Sequence, residues 1–269
     1  MDLGLSGAAV VVNGGSKGMG RAAAEVMARE GARVAVLARN KGDLEETVEA
    51  LVALGAREAV VLGADITDLN QVGAAFAEVR ERWGALNVLV NAAGPVGIGI
   101  GRFADIDDAE WTATFDVGTL GAVRCVREAL PLLRRAEWAR IVNVSAHSTH
   151  RQSPELVAYT AAKSALTSLT KNLSVTLAPD GILVNTVSPG SFLSAGMKGY
   201  LENLPEERGI DPNDLNDAMR VIAEDFGHPA WLGRAGDPAE IGPVIAFVGS
   251  RINTYMTGAD INVDGGSDF

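Results

Sequence analysis

Tyr159 and Lys163 stand four residues apart in a stretch whose Ala, Leu and Lys content predicts a helix over 157–177. Positions four apart share a helix face, so the phenol and the ammonium point the same way. A free tyrosine titrates near about 10 and shuttles protons poorly at neutral pH. A neighbouring ammonium favours the phenolate and lowers that value, which suits acid–base chemistry at a carbonyl or alcohol oxygen. Hydroxyls lie close by in the sequence: Ser145 and Ser148 precede the tyrosine, and His147 between them is a further donor. A lone loop histidine is ordinarily a surface residue, and surface is the expectation for His147.

A second constellation is the run Asn13-Gly14-Gly15-Ser16-Lys17-Gly18-Met19-Gly20, set between an apolar run and a helix pattern. Glycines permit a tight turn and a close backbone approach to a pyrophosphate. The helix start then offers free N–H groups and the positive end of its dipole. Gly14, Ser16, Lys17, Gly18, Met19 and Gly20 are therefore candidate cofactor contacts. An NAD site places an acid after the second strand to hold the ribose 2′-hydroxyl. This chain has Ala38-Arg39-Asn40 there. Arg39, with Lys17, fits a 2′-phosphate, so NADP is preferred and NAD is second. Asp65, followed by Ile66, either reaches the adenine edge or caps the next helix, as Asp68 also could. Asn91, Ala92, Ala93 and Gly94 let a cofactor pass close to the backbone.

The elements that must position these groups are read from periodicity. Runs at 8–13, 33–38, 59–63, 87–91, 140–145, 183–188 and 259–263 are continuously apolar, as in a parallel sheet buried on both faces. Helix patterns alternate with them. In 68–84, Val72, Phe76, Val79 and Trp83 share a face, and Gly84 stops the helix. The fold class expected is α/β: one doubly wound parallel sheet of about seven strands with helices on both faces, a single domain over 1–269. The segment 193–233 breaks the rhythm with three prolines and a helical patch near 214–226, and reads as a helical lid over the substrate. Its Phe192, Met197, Tyr200, Leu201, Leu204 and Trp231 suggest a mostly apolar substrate.

Composition narrows the classes. The 269 residues are 47% hydrophobic and carry a net charge of −11 with no basic stripe, which speaks against nucleic acid or an anionic membrane as partner. No secretory leader and no run of about 20 apolar residues is found. One cysteine, Cys125, sits in an apolar run and is expected in the core; it permits no internal disulfide and agrees with a reducing, cytoplasmic setting. No His/Cys cluster suggests a metal.

Together these motifs resemble the short-chain dehydrogenase/reductase family. Gly14–Gly20, Asn91–Gly94, Tyr159-Thr160-Ala161-Ala162-Lys163, Asn185–Gly190 and Met256–Gly266 stand in the family's order and span nearly the whole chain. The resemblance implies an NAD(P)-dependent enzyme that interconverts an alcohol and a ketone or aldehyde, built as a homotetramer or homodimer. It implies Tyr159 as acid–base and Lys163 as its activator. Pro189, Gly190 and Phe192 would shape the nicotinamide pocket, and Ser194 would hold the carboxamide. Two positions depart from the family pattern. Ala146 occupies the usual place of the catalytic serine, leaving Ser145 or Ser148 as its replacement. Gly118 stands where an asparagine is usual, either leaving room for an extra water or delegating the role to Thr119. Asn13 replaces a threonine and is expected to bond the turn backbone. The two departures keep a rival reading open: a nucleotide-binding scaffold or sensor of the same fold that has lost catalysis.

Overall fold

The computed structural model describes residues 2–267. Seven strands form one parallel sheet in the order β3-β2-β1-β4-β5-β6-β7. They are β1 Ala9–Asn13, β2 Arg33–Ala38, β3 Glu58–Gly63, β4 Val88–Asn91, β5 Ala139–Val144, β6 Ile182–Pro189 and β7 Asp260–Val263. Each coincides with an expected apolar run to within about two residues. All six pairings are parallel, with Val10 opposite both Val34 and Val88, and Val142 opposite Asn185.

Alternate side chains of each strand enter opposite faces. Val10, Val12, Val34 and Val36 pack with Ala23 and Met27 of α1 (Gly18–Arg29) and with Ile241 and Ile245 of α9 (Pro238–Val248). Val11, Leu37 and Leu89 pack on the other face with Phe76 and Val79 of α3 (Leu69–Trp83) and Leu132 of α5 (Gly121–Leu133). Each such fully buried side chain contributes roughly 1.5–3 kcal/mol. Cys125 belongs to this second cluster, and burial pushes its thiol up to about 12. It is a core residue, as expected.

Local signals set the helix ends. Asp68 accepts from the Asn70 and Gln71 amides at the start of α3, and Gly84 closes it in a left-handed conformation, φ 69°. The remaining helices are α2 (Lys41–Ala53), α4 (Asp108–Phe115), α6 (Val157–Thr176), α7 (Ala195–Glu202) and α8 (Leu215–Phe226). Between α4 and α5 the chain passes through a π-helical turn, Asp116–Leu120.

The irregular segment carries two helices, where one was expected. Leu201 of α7 and Ala218, Met219 and Ile222 of α8 share a small apolar cluster of their own, apart from the two sheet clusters. Arg208, between the two helices, pairs with Asp225 at 2.7 Å and Glu224 at 2.8 Å. No helix among the described residues is long and apolar enough to cross a membrane.

Candidate active site

The strand order reverses between β1 and β4, and a cleft opens there at the carboxyl ends of the strands, where doubly wound sheets place their ligands. It has a volume of about 750 Å³ and runs from the glycine loop to α6. Gly14, with φ 76°, passes directly over the Ala92–Ala93 backbone, and a Cβ there would collide with the Ala93 amide. A Cβ on Gly20 would strike the Gly14 carbonyl. The helix that follows has no side-chain cap at Lys17 and no acid in its first turn. Its first N–H groups thus lack a side-chain acceptor, and the dipole's positive end has no local counter-charge. A Cβ on Gly94 would lie 3.1 Å from Lys163 Nζ, so a larger residue there would crowd the lysine head group.

Gly14, Ser16, Lys17, Gly18, Met19, Gly20, Arg39, Asp65, Ile66, Ala92, Ala93, Gly94, Tyr159, Lys163, Pro189 and Ser194 all line this cleft. Three expected members do not. Asn91 is turned into the sheet, where its amide donates to Asn143 Oδ1 at 2.9 Å. Gly190 and Phe192 face a second cavity. Asn13 does not bond the turn backbone either: its side chain reaches Asn91 at 3.5 Å, and its Oδ1 is buried without a partner. Parallel register places Asn13, Asn91 and Asn143 side by side, and side-chain bonds across the strands follow from that.

At the far end of the cleft, Arg39 is 80% exposed and only loosely associated with Asp65, 4.0 Å away. Lys17 pairs with Asp43 at 2.8 Å. Asp65 accepts from the Thr67 amide and hydroxyl in a local turn, and the helix cap expected of Asp65 or Asp68 is made by Asp68. The rim therefore holds two cations and two carboxylates, with Arg39 the more available cation.

The second cavity, about 940 Å³, adjoins the first, and Tyr159 lines both. Helix α6 places Tyr159 and Lys163 on one face, as the spacing required. Burial pushes the Tyr159 hydroxyl up to about 12 and the Lys163 ammonium down to about 8. The expected lowering of the tyrosine is thus not a property of the protein alone; burial dominates without a further positive charge. Lys163 Nζ donates to the Val144 carbonyl at 2.9 Å.

The two serines differ in where their protons go. Ser145 Oγ donates to the Lys163 carbonyl at 3.1 Å, which can only accept, and lies 2.8 Å from the Thr167 hydroxyl. Its proton is committed to the helix backbone. Ser148 Oγ instead accepts from the Thr160 hydroxyl at 3.2 Å, which leaves its own proton to donate. Ser148 lines the second cavity with Tyr159, whereas Ser145 lines the first.

His147 is not on the surface. It is 7% exposed and lines the second cavity. Its Nε2 lies 2.9 Å from Nδ1 of His228, from the chain just beyond α8. No local signal in Gly227-His228-Pro229 marked that residue; only the fold brings it here.

A family model described as enoyl-(acyl carrier protein) reductase matches residues 14–268. The short-chain reductase protein NovJ of Streptomyces niveus is 33% identical over 95% of this chain and 92% of its own length. The chain belongs to the short-chain dehydrogenase/reductase family. It is accordingly an oxidoreductase of alcohols and carbonyls that uses NAD(P). Another relative, 2-(S)-hydroxypropyl-CoM dehydrogenase 3 of Xanthobacter autotrophicus, is 32% identical over 97% of both chains. Among solved structures, L-sorbose reductase of Gluconobacter frateurii, complexed with NADPH and L-sorbose, superposes with a TM-score of 0.91 at 28% identity, covering 100% of this chain and 99% of that one.

Within the family frame the two departures acquire physical content. Ala146 lines the second cavity, where a methyl offers no donor. At Gly118 there is no spare room on the α6 side: an added Cβ would lie 3.0 Å from Ala162 Cβ and 3.4 Å from Pro95 Cγ. On that side the π-helical turn packs closely against α6. Thr119 donates to the Ala162 carbonyl at 2.8 Å, tying the same turn to the residue before Lys163. The apolar lid residues divide. Phe192, Met197 and Tyr200 line the second cavity, Leu201 and Leu204 pack within the lid, and Trp231 is 79% exposed against Gly266.

Proposed function

We propose that this chain is an NADP(H)-dependent reductase of a small ketone or aldehyde, with the reverse alcohol oxidation also available. The observation that carries the reading is the position of Tyr159 at the junction of the two cavities, with Lys163 toward the first and Ser148 toward the second. The first cleft fits a dinucleotide: its glycines admit only bare backbone, and the start of α1 is an anion site. Gly14–Gly20 would hold the pyrophosphate, Arg39 the 2′-phosphate, Lys163 the nicotinamide ribose and Ser194 the carboxamide. When bound, the reduced cofactor supplies a hydride to the carbonyl carbon. Ser148 and Tyr159 hold the carbonyl oxygen, and Tyr159 gives it a proton as negative charge develops. Lys163, with its ordinary value lowered to about 8 by burial, still carries its charge at neutral pH and opposes the burial that raises Tyr159.

The second cavity is amphipathic rather than wholly apolar. Leu156, Phe192, Met197 and Ile222 stand beside Ser148, Asn203 and Asp225. The sugar named with L-sorbose reductase and the hydroxyalkyl thioether named with the dehydrogenase relative agree with a substrate carrying a polar group near its carbonyl. Assembly as a homotetramer or homodimer belongs to the same reading, and exposed Val175 on α6 and Tyr255 are apolar surfaces it would cover.

The test is consumption of NADPH against a panel of ketones and aldehydes, followed at the nicotinamide absorbance band. Tyr159→Phe removes only the hydroxyl. Turnover should vanish while NADPH affinity stays within about twofold. A variant with wild-type rates overturns the acid–base assignment, and a wild-type chain that binds NADPH but reduces no carbonyl favours a scaffold or sensor.

A further inference from the structure

The chain beyond α8 ends in a feature that the family's reaction does not require. Gly227 takes a left-handed conformation, φ 70°, and turns the backbone inward, so His228 is only 2% exposed. Ser191 Oγ donates to the His228 carbonyl at 2.9 Å and anchors it beside β6. Its ring meets that of His147 edge to face, with centroids 4.8 Å apart. His147 opens the short 3-10 turn His147–Thr149, whose middle residue is Ser148.

The outer partner places one proton of the pair. His147 Nδ1 lies 3.3 Å from the Pro189 carbonyl, which can only accept, so a proton sits on Nδ1. His147 Nε2 and His228 Nδ1 lie 2.9 Å apart and share one proton between the two rings. Burial first, then the charges of His147 and Arg151, push His228 down to about 4, which keeps it neutral at physiological pH. Its other nitrogen, Nε2, is buried with no hydrogen-bond partner among the described residues. A buried nitrogen without a partner is a cost that an apolar ring would not carry. What offsets it is the bond on the Nδ1 side.

Resting on the assignment of Ser148 as the second carbonyl donor, we propose that His228 is a positioning residue: through His147 it holds the turn that presents the Ser148 hydroxyl to the substrate. His147 is gripped by β6 on one side and by the end of the lid on the other, while Ser148 itself is tied through its side chain to Thr160 alone. An oxygen donor misplaced by about 1 Å loses much of its value in the transition state. A residue just beyond α8 thus helps set the site where the family's usual serine is replaced by Ala146.

The experiment is a double-mutant cycle with steady-state kinetics on NADPH and one accepted carbonyl. His228→Phe keeps a ring and loses the bond to His147; His228→Asn restores an amide able to donate or accept near the place of Nδ1. His228→Phe should lower kcat at least tenfold with KM for NADPH unchanged, and His228→Asn should recover most of the loss. In a Ser148→Ala background, His228→Phe should cost less than about twofold, because its target hydroxyl is gone. An equal loss in both backgrounds, an unchanged kcat, or no rescue by Asn overturns the proposal. If Ser148→Ala alone keeps the wild-type rate, the donor assignment fails separately. Amide exchange across 146–150 then decides the coupling: faster exchange in His228→Phe supports it, and unchanged exchange refutes it.

Discussion

Replacing Ser145 and Ser148 one at a time should separate a structural hydroxyl from a chemical one. Ser145→Ala removes the donor to the Lys163 carbonyl and the partner of Thr167, both inside the protein. Leaving such groups unsatisfied costs about 1–3 kcal/mol of stability. For a chain of this size that is a fall in Tm of roughly 2–4 °C per kcal/mol. Little of it should appear in kcat, since Lys163 keeps its place through the helix and its bond to Val144. Ser148→Ala gives up one weak bond from Thr160, about 1 kcal/mol at most in stability. In the transition state it gives up an oxyanion donor, a loss of about 10² to 10³ in kcat. Thermal melts and NADPH-linked kinetics on the same two preparations read both axes. The expected pattern is a Tm loss with near-normal kcat for Ser145→Ala, and the reverse for Ser148→Ala. If Ser145→Ala carries the kinetic loss, the argument from proton direction is wrong.

Three further outcomes can be checked. Ala38→Asp combined with Arg39→Ser removes the exposed guanidinium proposed to hold a 2′-phosphate and adds a repulsive acid, so the ratio of NADP to NAD affinity should fall at least tenfold in titrations; equal affinities in the unaltered chain would contradict the assignment. Lys163, at about 8 in the folded chain against 10.5 ordinarily, binds fewer protons folded than unfolded between those values, so stability should rise with pH across that window. Relative to Lys163→Met, the wild type should gain stability in denaturant melts from pH 8 to 10, before Tyr159, raised to about 12, begins to act in the opposite sense. A constant difference would show that Lys163 is not desolvated. Gly118→Asn, which restores the family's usual residue, should destabilise by about 1–3 kcal/mol because its Cβ would crowd Ala162 at 3.0 Å and Pro95 at 3.4 Å; an unchanged melt would mean that these neighbours give way.

Much of this protein was legible from short-range patterns. Seven continuous apolar runs are what strands buried on both faces must look like, and each became a strand of one parallel sheet. Gly84 and Asp68 announced the ends of α3 because capping depends on neighbours a few residues away. Tyr159 and Lys163 share a face because helix geometry alone dictates it. The residues that had to be corrected are those whose partners are remote in the chain. Asn13 faces Asn91 across 78 positions, and Asn91 faces Asn143 across 52. Spacing could not tell Ser145 from Ser148, since they differ in hydrogen-bond role toward α6: Ser145 donates to the Lys163 carbonyl, whereas Ser148 accepts from the Thr160 hydroxyl. His147 looked like a surface residue until α8 and its left-handed Gly227 delivered His228 to within 2.9 Å. Propensity, capping and periodicity act over a few residues and are written in the sequence. Proton direction, burial and the company of a side chain are set where distant segments meet, and only the tertiary structure decides them.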